Sequence, residues 1–310
     1  MTTQQTYKAH GKLLLSGEYL ILEGAEGLAI PLQAGQELTV SDLPNHKAVL
    51  QWEATIPSGI WFKGTFSLHD FHLLQATDKT FGHRLAEILT VVRKQNPDFI
   101  TSGSIKVQTR LEFNPEYGFG SSSTLIANLA RWAGVDAFEL QKQTFKGSGY
   151  DVAVALENNP INYKLQNGKP QYHKVPFNPD FAQNLYFVYL GKKQRSLDAI
   201  KQFKKKAAFT PSDIDNITAI TREISTCRSL PRFEHLLQEH ETIMSAILKT
   251  SPVQQQLFSN YTGGIVKSLG AWGGDFVLIT SKQPPESFKK LMISMGFKVV
   301  FGFNEIVATD

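Results

Sequence analysis

The sequence predicts an α+β protein made of two domains in succession. Its 310 residues suggest two domains, because a typical domain holds about 150 residues. Short β-prone segments fill the first third of the chain, whereas helical patterns dominate afterwards. The composition shifts towards loop-forming residues near 160–180. We therefore expect domains at 1–170 and 171–310.

Alternating apolar and polar residues, interrupted by turn-forming pairs, indicate the strands of the first third. These strands are predicted at 36–40, 48–53, 60–66 and 105–111. Apolar residues at helical spacing over 81–92 predict a helix that ends at Asn96-Pro97. A similar stripe over 125–133 predicts a second helix.

The second half begins with loop signals over 158–179, and a strongly apolar strand follows at 185–190. The remaining predicted elements are helices at 213–228, 232–249 and 287–295 and strands at 276–280 and 298–301. His240 falls among the apolar positions of its helix. We therefore expect this histidine to be packed rather than catalytic.

Composition excludes several classes of protein. Lysine plus arginine number 32 and aspartate plus glutamate 28, so the net charge is only +4, and 42% of the residues are hydrophobic. This balance excludes a disordered chain and disfavours a nucleic-acid partner. A single cysteine, Cys227, excludes an internal disulfide framework and a multi-cysteine metal site. The sequence shows neither a membrane-length apolar run nor a secretion signal, so we expect a cytoplasmic protein without a membrane partner.

The segment 115–124, Pro-Glu-Tyr-Gly-Phe-Gly-Ser-Ser-Ser-Thr, follows a strand and opens a helix. Its glycines permit tight turns, and a helix N-terminus attracts phosphate through unpaired N–H groups and a partial positive charge. Serine hydroxyls would suit Mg²⁺, which prefers oxygen ligands. The segment lacks the Gly-Lys-Ser/Thr of a P-loop. The alternative is a flexible turn with a serine as the helix cap.

Three further segments carry candidate chemistry. Asp151 follows a Gly-Ser-Gly turn within 146–155, where it would orient or deprotonate a hydroxyl, or simply cap a short helix. The glycine-rich turn 268–275 lets backbone approach a ligand, or is a plain turn between a helix and a strand. Lys12 lies beside Gly11 near the start, where it would reach a phosphate or remain solvated.

Together these segments resemble the GHMP kinase family, which includes galactokinase, homoserine kinase, mevalonate kinase and phosphomevalonate kinase. The family pattern Pro-Gly-Lys-x4-Gly-Glu-His is similar to 10–19, and Pro-x3-Gly-Leu-Gly-Ser-Ser-Ala is similar to 115–124 with one spacer residue fewer. Ser-Gly-Ala-Gly-Gly-Gly-Asp resembles 268–275. The string Lys-Gly-Ser-Gly-Tyr-Asp-Val-Ala at 146–153 is closest to the phosphomevalonate kinase branch.

The resemblance implies a fold and a set of roles. The fold would be an N-terminal domain resembling ribosomal protein S5 domain 2 followed by a ferredoxin-like domain. The activity would be phosphorylation of a small molecule with ATP and Mg²⁺. The implied residues are Asp151 and Lys12 for catalysis; Gly118, Phe119, Gly120, Ser121, Ser122 and Ser123 for the ATP phosphates, with Ser122 facing Mg²⁺; and Glu18, Tyr19, Gly270, Gly273 and Gly274 for the substrate.

Two further sites have alternatives. Mevalonate kinases carry a Mg²⁺-binding glutamate shortly before the aspartate motif, and Glu139 lies twelve residues before Asp151. Glu139 also completes a D-x-x-E helix start, in which it would reach back to the cap. Lys193 and Arg195 follow a buried strand and would meet an anionic substrate. They also lie near a lysine run that indicates a solvated basic face.

The sequence departs from the family pattern at three positions: His10 replaces a proline, Tyr19 a histidine, and Trp272 interrupts the late glycines. Mevalonate or phosphomevalonate is the favoured acceptor. The alternatives are a sugar or homoserine as acceptor, a catalytically silent binding protein of this fold, and, well behind, a nucleic-acid-binding module. The oligomeric state is open, a homodimer included.

Overall fold

The computed structural model describes residues 4–44, 48–192, 196–272 and 274–309. Three predicted substrate residues, Lys193, Arg195 and Gly273, lie outside these ranges and stay predictions. The described chain divides into two compact units. Unit 1 comprises the described residues of Met1–Gly11, Ala34–Pro115 and Phe119–Leu156, and unit 2 comprises those of Lys12–Gln33, Glu116–Gly118 and Glu157–Asp310. The predicted domains at 1–170 and 171–310 stay a prediction.

Unit 1 is built on a mixed sheet with helices. The elements of the first half of the chain are β1 Gln4–Leu14, β2 Gly27–Asp42, β3 Val49–Ile56, β4 Gly59–Ser67, β5 Leu73–Ala76, α1 Lys79–Gln95, β6 Ile105–Leu111, α2 Ser121–Ala133, α3 Ala137–Thr144 and α4 Tyr150–Glu157. Within unit 1 the strand order is β5-β4-β3-β6-β2. The β3–β6 pair is parallel, and the others are antiparallel. The apolar faces of α1 and α2 pack on this sheet and bury its core.

Unit 2 holds a hairpin and a second sheet. Its further elements are β7 Ile161–Gln166, β8 Lys169–Lys174, β9 Leu185–Tyr189, α5 Ser196–Lys206, α6 Pro211–Thr226, α7 Leu230–Leu248, α8 Val253–Leu257, β10 Val266–Ser268, β11 Phe276–Thr280, α9 Pro285–Ser294, β12 Val300–Gly302 and α10 Phe303–Ile306. The second sheet is antiparallel, with the order β10-β11-β9-β12. Strands and helices therefore follow the ferredoxin-like βαββαβ sequence, which confirms that prediction.

The expectation of a loop over 158–179 is wrong. Strands β7 and β8 pair there in an antiparallel hairpin. Its two turn residues, Asn167 and Gly168, have φ angles of 52° and 70°, as a tight two-residue hairpin turn requires. Asn167 and Gly168, two of the residues that indicated a loop, form the turn of this hairpin, and its polar strand β8 gives little periodic signal.

Among the described residues, no helix is both long enough and apolar enough to cross a membrane.

Candidate active site

The N-terminus of α2 presents backbone N–H groups that the helix itself does not use. Gly120, with a φ angle of 91°, is the N-cap residue, and no side chain caps the helix. The first intrahelical bond runs from the Thr124 N–H to the Gly120 carbonyl, at 3.0 Å. The N–H groups of Ser121, Ser122 and Ser123 precede it, so they are free of helix bonding. The Ser123 hydroxyl donates to the Gly120 carbonyl at 2.8 Å, and Ser122 is exposed.

Buried polar contacts hold this helix start against the sheet. The Thr124 hydroxyl donates to Gln36 Oε1 at 3.0 Å, and Asn128 Nδ2 donates to the Gln36 carbonyl at 2.8 Å. All three side chains are buried. Phe119 is also buried and contacts Phe113 edge to face. Because buried polar groups are costly to leave unpaired, these bonds fix the position of α2 on β2.

Asp151 lies in the first turn of α4, after a turn in which Lys146, Gly147 and Gly149 have positive φ angles. One carboxylate oxygen is held: Asp151 Oδ1 accepts from Gln141 Nε2 at 2.9 Å and from the Val152 N–H at 3.1 Å. Within the described residues, Oδ2 has no hydrogen bond of its own. The carboxylate is therefore oriented through Oδ1.

The predicted metal ligand Glu139 faces a different set of partners. Its carboxylate accepts from Gln143 Nε2 at 2.8 Å and lies 3.7 Å from Lys142 Nζ. Asp136 caps α3 by accepting from two backbone N–H groups, whereas Glu139 does not reach back to the cap. The α3 side chain that contacts Asp151 is instead the neutral, buried Gln141. A metal role for Glu139 stays a prediction.

Helices α2 and α4 contribute small residues to one buried cluster and are joined by hydrogen bonds near their C-terminal ends. Ala127 and Ala155 belong to one buried cluster with Ala9. Arg131 on α2 donates to the carbonyls of Ala155 and Leu156, at 3.3 and 2.8 Å. The serines of the predicted phosphate-binding turn and the predicted catalytic aspartate thus lie on two neighbouring helices of unit 1.

In unit 2, Lys12 and Asp275 meet at the peptide of Gly118. Lys12 Nζ donates to the Gly118 carbonyl at 3.1 Å. The Asp275 carboxylate lies so close to Gly118 that an added Cβ would fall 2.6 Å from its Oδ2. Gly118 itself has a φ angle of 67°, which favours glycine. The late glycine-rich turn joins strands β10 and β11 rather than a helix and a strand, and its last residue buttresses Gly118.

Four ionisable side chains, which we call the buried quartet, lie together inside unit 2: Glu18, His240, Glu241 and Lys267. Their exposed fractions are 1%, 0%, 4% and 0%. Lys267 Nζ lies 2.6 Å from Glu18 Oε1 and 3.9 Å from Glu241 Oε1. His240 Nε2 lies 3.1 Å from both the Gly17 nitrogen and Glu18 Oε2. This nitrogen therefore serves one of the two at a time, accepting from Gly17 or donating to Glu18. His240 is packed, as predicted.

The two glutamates of the quartet differ in charge. Burial by itself raises the pKa of Glu18, but Lys267 and His240 outweigh it and lower that pKa to about 2. Burial raises the pKa of Glu241 to about 8 against the pull of Lys267. Burial and Lys267 also lower the pKa of His240. At neutral pH the quartet therefore contains one ion pair, Glu18–Lys267, beside a neutral histidine and a protonated Glu241.

The burial of Glu18 disfavours its predicted contact with a substrate, whereas Tyr19 lines a cavity. The Tyr19 hydroxyl accepts from the backbone N–H of Trp272 at 3.1 Å. The Tyr19 ring stacks on that of Phe203, with the ring centroids 5.1 Å apart. Tyr19, Phe203 and Trp272 line this cavity of about 590 Å³ together with Lys205. Two positions at which the sequence departs from the family pattern, Tyr19 and Trp272, are thus bonded to each other.

The late turn also contains two glycines that were predicted to contact the substrate, Gly270 and Gly274. Gly270 bends the turn with a φ angle of 61°, and an added Cβ there would meet open space. Gly274 is buried. Their predicted contacts with a substrate stay predictions.

Several residues of the site escaped sequence analysis. Gln141 and Glu241 lie on amphipathic helices, where nothing in the sequence separates them from solvated neighbours. Asp275 closes the late motif and carried no assigned role. Lys267 had the clearest signal, because it stands directly before that motif and on one strand of the β10–β11 hairpin. Each was missed because its partner lies far away in the sequence.

Comparison with known proteins finds likeness in structure alone. No protein-family model and no curated protein matches the sequence. Mevalonate kinase of Methanococcus jannaschii superposes with a TM-score of 0.72 at 14% identity, covering 99% of both chains. Phosphomevalonate kinase of Streptococcus pneumoniae, solved with phosphomevalonate and AMPPNP, gives 0.67 at 14% identity over 96% of this chain and 99% of that one. Galactokinase of Lactococcus lactis, solved with galactose, gives 0.65 at 11% identity over 98% and 93%.

The charge of Glu241 predicts how stability depends on pH. Its folded-state pKa of about 8 exceeds the ordinary value of 4.5, so the folded chain keeps a proton that the unfolded chain releases between these pH values. The contribution of Glu241 to stability therefore falls as pH rises through this window, by at most about 1.4 kcal/mol per pH unit, and levels off above pH 8. Glu241→Gln should remove this loss, and denaturant unfolding from pH 5 to 9 measures it.

The matched control is Glu239→Gln, because Glu239 lies on the same helix but is half-exposed. The parent and Glu239→Gln should weaken in parallel as pH rises. If Glu241→Gln follows them with the same slope, Glu241 is ionised in the fold at neutral pH and the assignment is wrong.

Proposed function

We propose that this chain, which has the two-domain fold of the GHMP kinases, is a kinase. It would transfer a phosphoryl group from ATP to a small anionic metabolite. Mevalonate or phosphomevalonate is the favoured acceptor. The observation that carries the proposal is the pairing, on adjoining helices, of an uncapped glycine-rich helix start with an aspartate held through one oxygen only.

The start of α2 fits a polyphosphate. Unused N–H groups at a helix N-terminus attract phosphate oxygens, and the left-handed Gly120 gives them a close approach. The exposed hydroxyl of Ser122 is a suitable oxygen donor for Mg²⁺ carried by the nucleotide. Bound there, the cation would neutralise phosphate charge, which is the main demand of phosphoryl transfer. We assign Gly118–Ser123 to nucleotide binding on this basis.

Asp151 is assigned to the acceptor hydroxyl. Gln141 and the Val152 N–H hold Oδ1, so the carboxylate cannot rotate freely and Oδ2 is presented in a fixed direction. In that position it would orient the hydroxyl and accept its proton as the oxygen attacks. Gln141 is a positioning residue, because it acts only through Asp151.

Lys12 is assigned to the charge that develops on the transferring group. Its ammonium donates to the Gly118 carbonyl, a contact that fixes its position beside the glycine-rich turn. The Asp275 carboxylate lies beside the same residue. Preorganised positive charge of this kind lowers the barrier without reorganising during the reaction.

The choice of acceptor rests on individual side chains rather than on the fold. Solved structures of this fold include a galactokinase bound to galactose and a phosphomevalonate kinase bound to phosphomevalonate, so the fold accommodates chemically different acceptors. The Lys-Gly-Ser-Gly-Tyr-Asp-Val-Ala string at 146–153 favours the isoprenoid precursors. Trp272 in the late turn favours the second candidate, a silent binding protein, because a bulky side chain stands where the family has glycine.

A panel of acceptors with purified protein tests the proposed function. We expect MgATP turnover that depends on mevalonate or phosphomevalonate and yields a phosphorylated product detected by mass spectrometry. Turnover with galactose or homoserine alone would move the protein to another acceptor class. Nucleotide binding without product from any acceptor would support the silent binding protein instead.

Asp151→Asn should lower kcat at least 100-fold, roughly the contribution of a positioned general base. Asparagine retains the hydrogen bond from Gln141 but cannot accept the proton, so the Kd for MgATP should stay within about twofold. Steady-state kinetics and calorimetry measure the two effects. Asp98→Asn is the control, since Asp98 is exposed in the same unit and should leave both constants unchanged. A near-normal kcat in Asp151→Asn would refute the assignment.

Gly118→Ala should weaken MgATP binding at least tenfold, about 1.4 kcal/mol. The added methyl group meets the Asp275 carboxylate at 2.6 Å, and the φ angle of 67° is strained for alanine. Gly134→Ala is the matched control, because Gly134 has a similar φ of 64° and nothing within 4 Å of an added Cβ. The control should lose roughly 1 kcal/mol of stability and no nucleotide affinity. Equal affinities in the two variants would exclude Gly118 from the nucleotide site.

A further inference from the structure

The buried quartet has a cost that packing alone does not repay. Removing a charged group from water costs several kcal/mol per ion, and a well-packed apolar replacement is often as stable. Lys267 is nevertheless fully buried, where it donates to Glu18 at 2.6 Å and to the Ser268 carbonyl at 2.8 Å. The ion pair therefore has to be explained by what it holds in place.

The ion pair holds the turn that carries Tyr19. Glu18 and Tyr19 are adjacent in sequence, and Tyr19 has a φ angle of 61°, an unfavourable conformation for a bulky side chain. Lys267 lies on β10, and the turn that follows β10 carries Trp272, whose N–H donates to the Tyr19 hydroxyl. Two contacts, Glu18–Lys267 and Tyr19–Trp272, thus join the turn after β1 to β10 and the turn that follows it.

Glu241 is the second carboxyl group close to Lys267, at 3.9 Å. Within the described residues, neither of its carboxylate oxygens meets the geometry of a hydrogen bond, although Ser268 lies close enough to lower the pKa of Glu241. The charged groups that face it are Lys267 from β10 and Glu18 from the turn after β1; His240, on its own helix, faces Glu18. A second negative charge on Glu241 would place Lys267 between two carboxylates. The neutral form leaves the ammonium entirely to Glu18.

We propose that Lys267 is a positioning residue, which holds the Tyr19–Trp272 wall of the 590 Å³ cavity through Glu18, and that this hold requires Glu241 to be protonated. When Glu241 loses its proton, Lys267 moves towards it, the grip on Glu18 weakens, and Tyr19 is released from its strained conformation. The wall is then well defined near neutral pH and loosens under alkaline conditions.

The expected effect of a loosened wall on the KM values rests on the proposed function. The expected loosening of the Tyr19–Trp272 wall itself does not. If the cavity receives the acceptor, a loosened wall raises the KM for the acceptor and leaves the KM for ATP unchanged. A residue that only stabilised the fold would not separate these two constants in this way.

Fluorine NMR of 5-fluorotryptophan-labelled protein tests the proposal directly. The chain has four tryptophans, and Trp272 is the one in unit 2, so Trp272→Phe assigns its resonance. In the parent, this resonance should titrate between pH 6 and 10 with a midpoint within about one unit of 8. The titration should be absent in Glu241→Gln and retained in Glu239→Gln. A titration that survives Glu241→Gln, or no titration in the parent, would overturn the proposal.

A double variant, Glu18→Gln with Lys267→Met, removes both charges together and so avoids leaving one buried charge unpaired. Its Trp272 resonance should be displaced from that of the parent at pH 7 and insensitive to pH. Where kinase activity is present, its acceptor KM should rise roughly tenfold, equivalent to about 1.4 kcal/mol. An unmoved resonance would sink the positioning role. Absence of kinase activity in the parent would count against the proposed function alone, since the Trp272 titration is still measurable.

Discussion

A lysine and a glutamate that are both shielded from water must neutralise each other, and unit 2 is organised around this requirement. Lys267 and Glu18 form the pair at 2.6 Å, and they are 249 residues apart in the sequence. Breaking such a pair leaves an uncompensated charge and typically costs about 3–5 kcal/mol. The strand β10 and the turn after β1 are therefore tied together by electrostatics as well as by apolar packing.

In unit 1, uncharged polar groups fix the position of helix α2, whose first N–H groups are unpaired within the helix. The N-terminus of a helix needs partners for its first N–H groups, and α2 leaves them unused while its second turn is bonded to β2 through Thr124 and Asn128. The bonds of Thr124 and Asn128 to β2 fix the position of the helix, so no side-chain cap is needed at its N-terminus. A start of this kind is rigid and unsatisfied at once, which is the condition for binding an anion without reorganisation.

Asp151 follows the same logic. One oxygen is bonded within unit 1 and the other is not. Predicted site residues in both units thus owe their orientation to a hydrogen bond with a neighbouring group. For Lys12 that neighbour is the Gly118 carbonyl, and for Tyr19 it is the Trp272 N–H.

By itself the sequence determined most of the elements and the location of the glycine-rich turns. Helices α1, α2, α6 and α7 and strands β9 and β11 follow from periodicity and breakers, because those signals act over a few residues. The β7–β8 hairpin was missed because β8 is polar and turn-forming residues flank and interrupt the two strands. Only the tertiary structure decided that Gln141 rather than Glu139 faces Asp151, and that Glu241 rather than Glu18 is neutral. Both outcomes depend on burial and on partners distant in the chain, which local patterns do not encode.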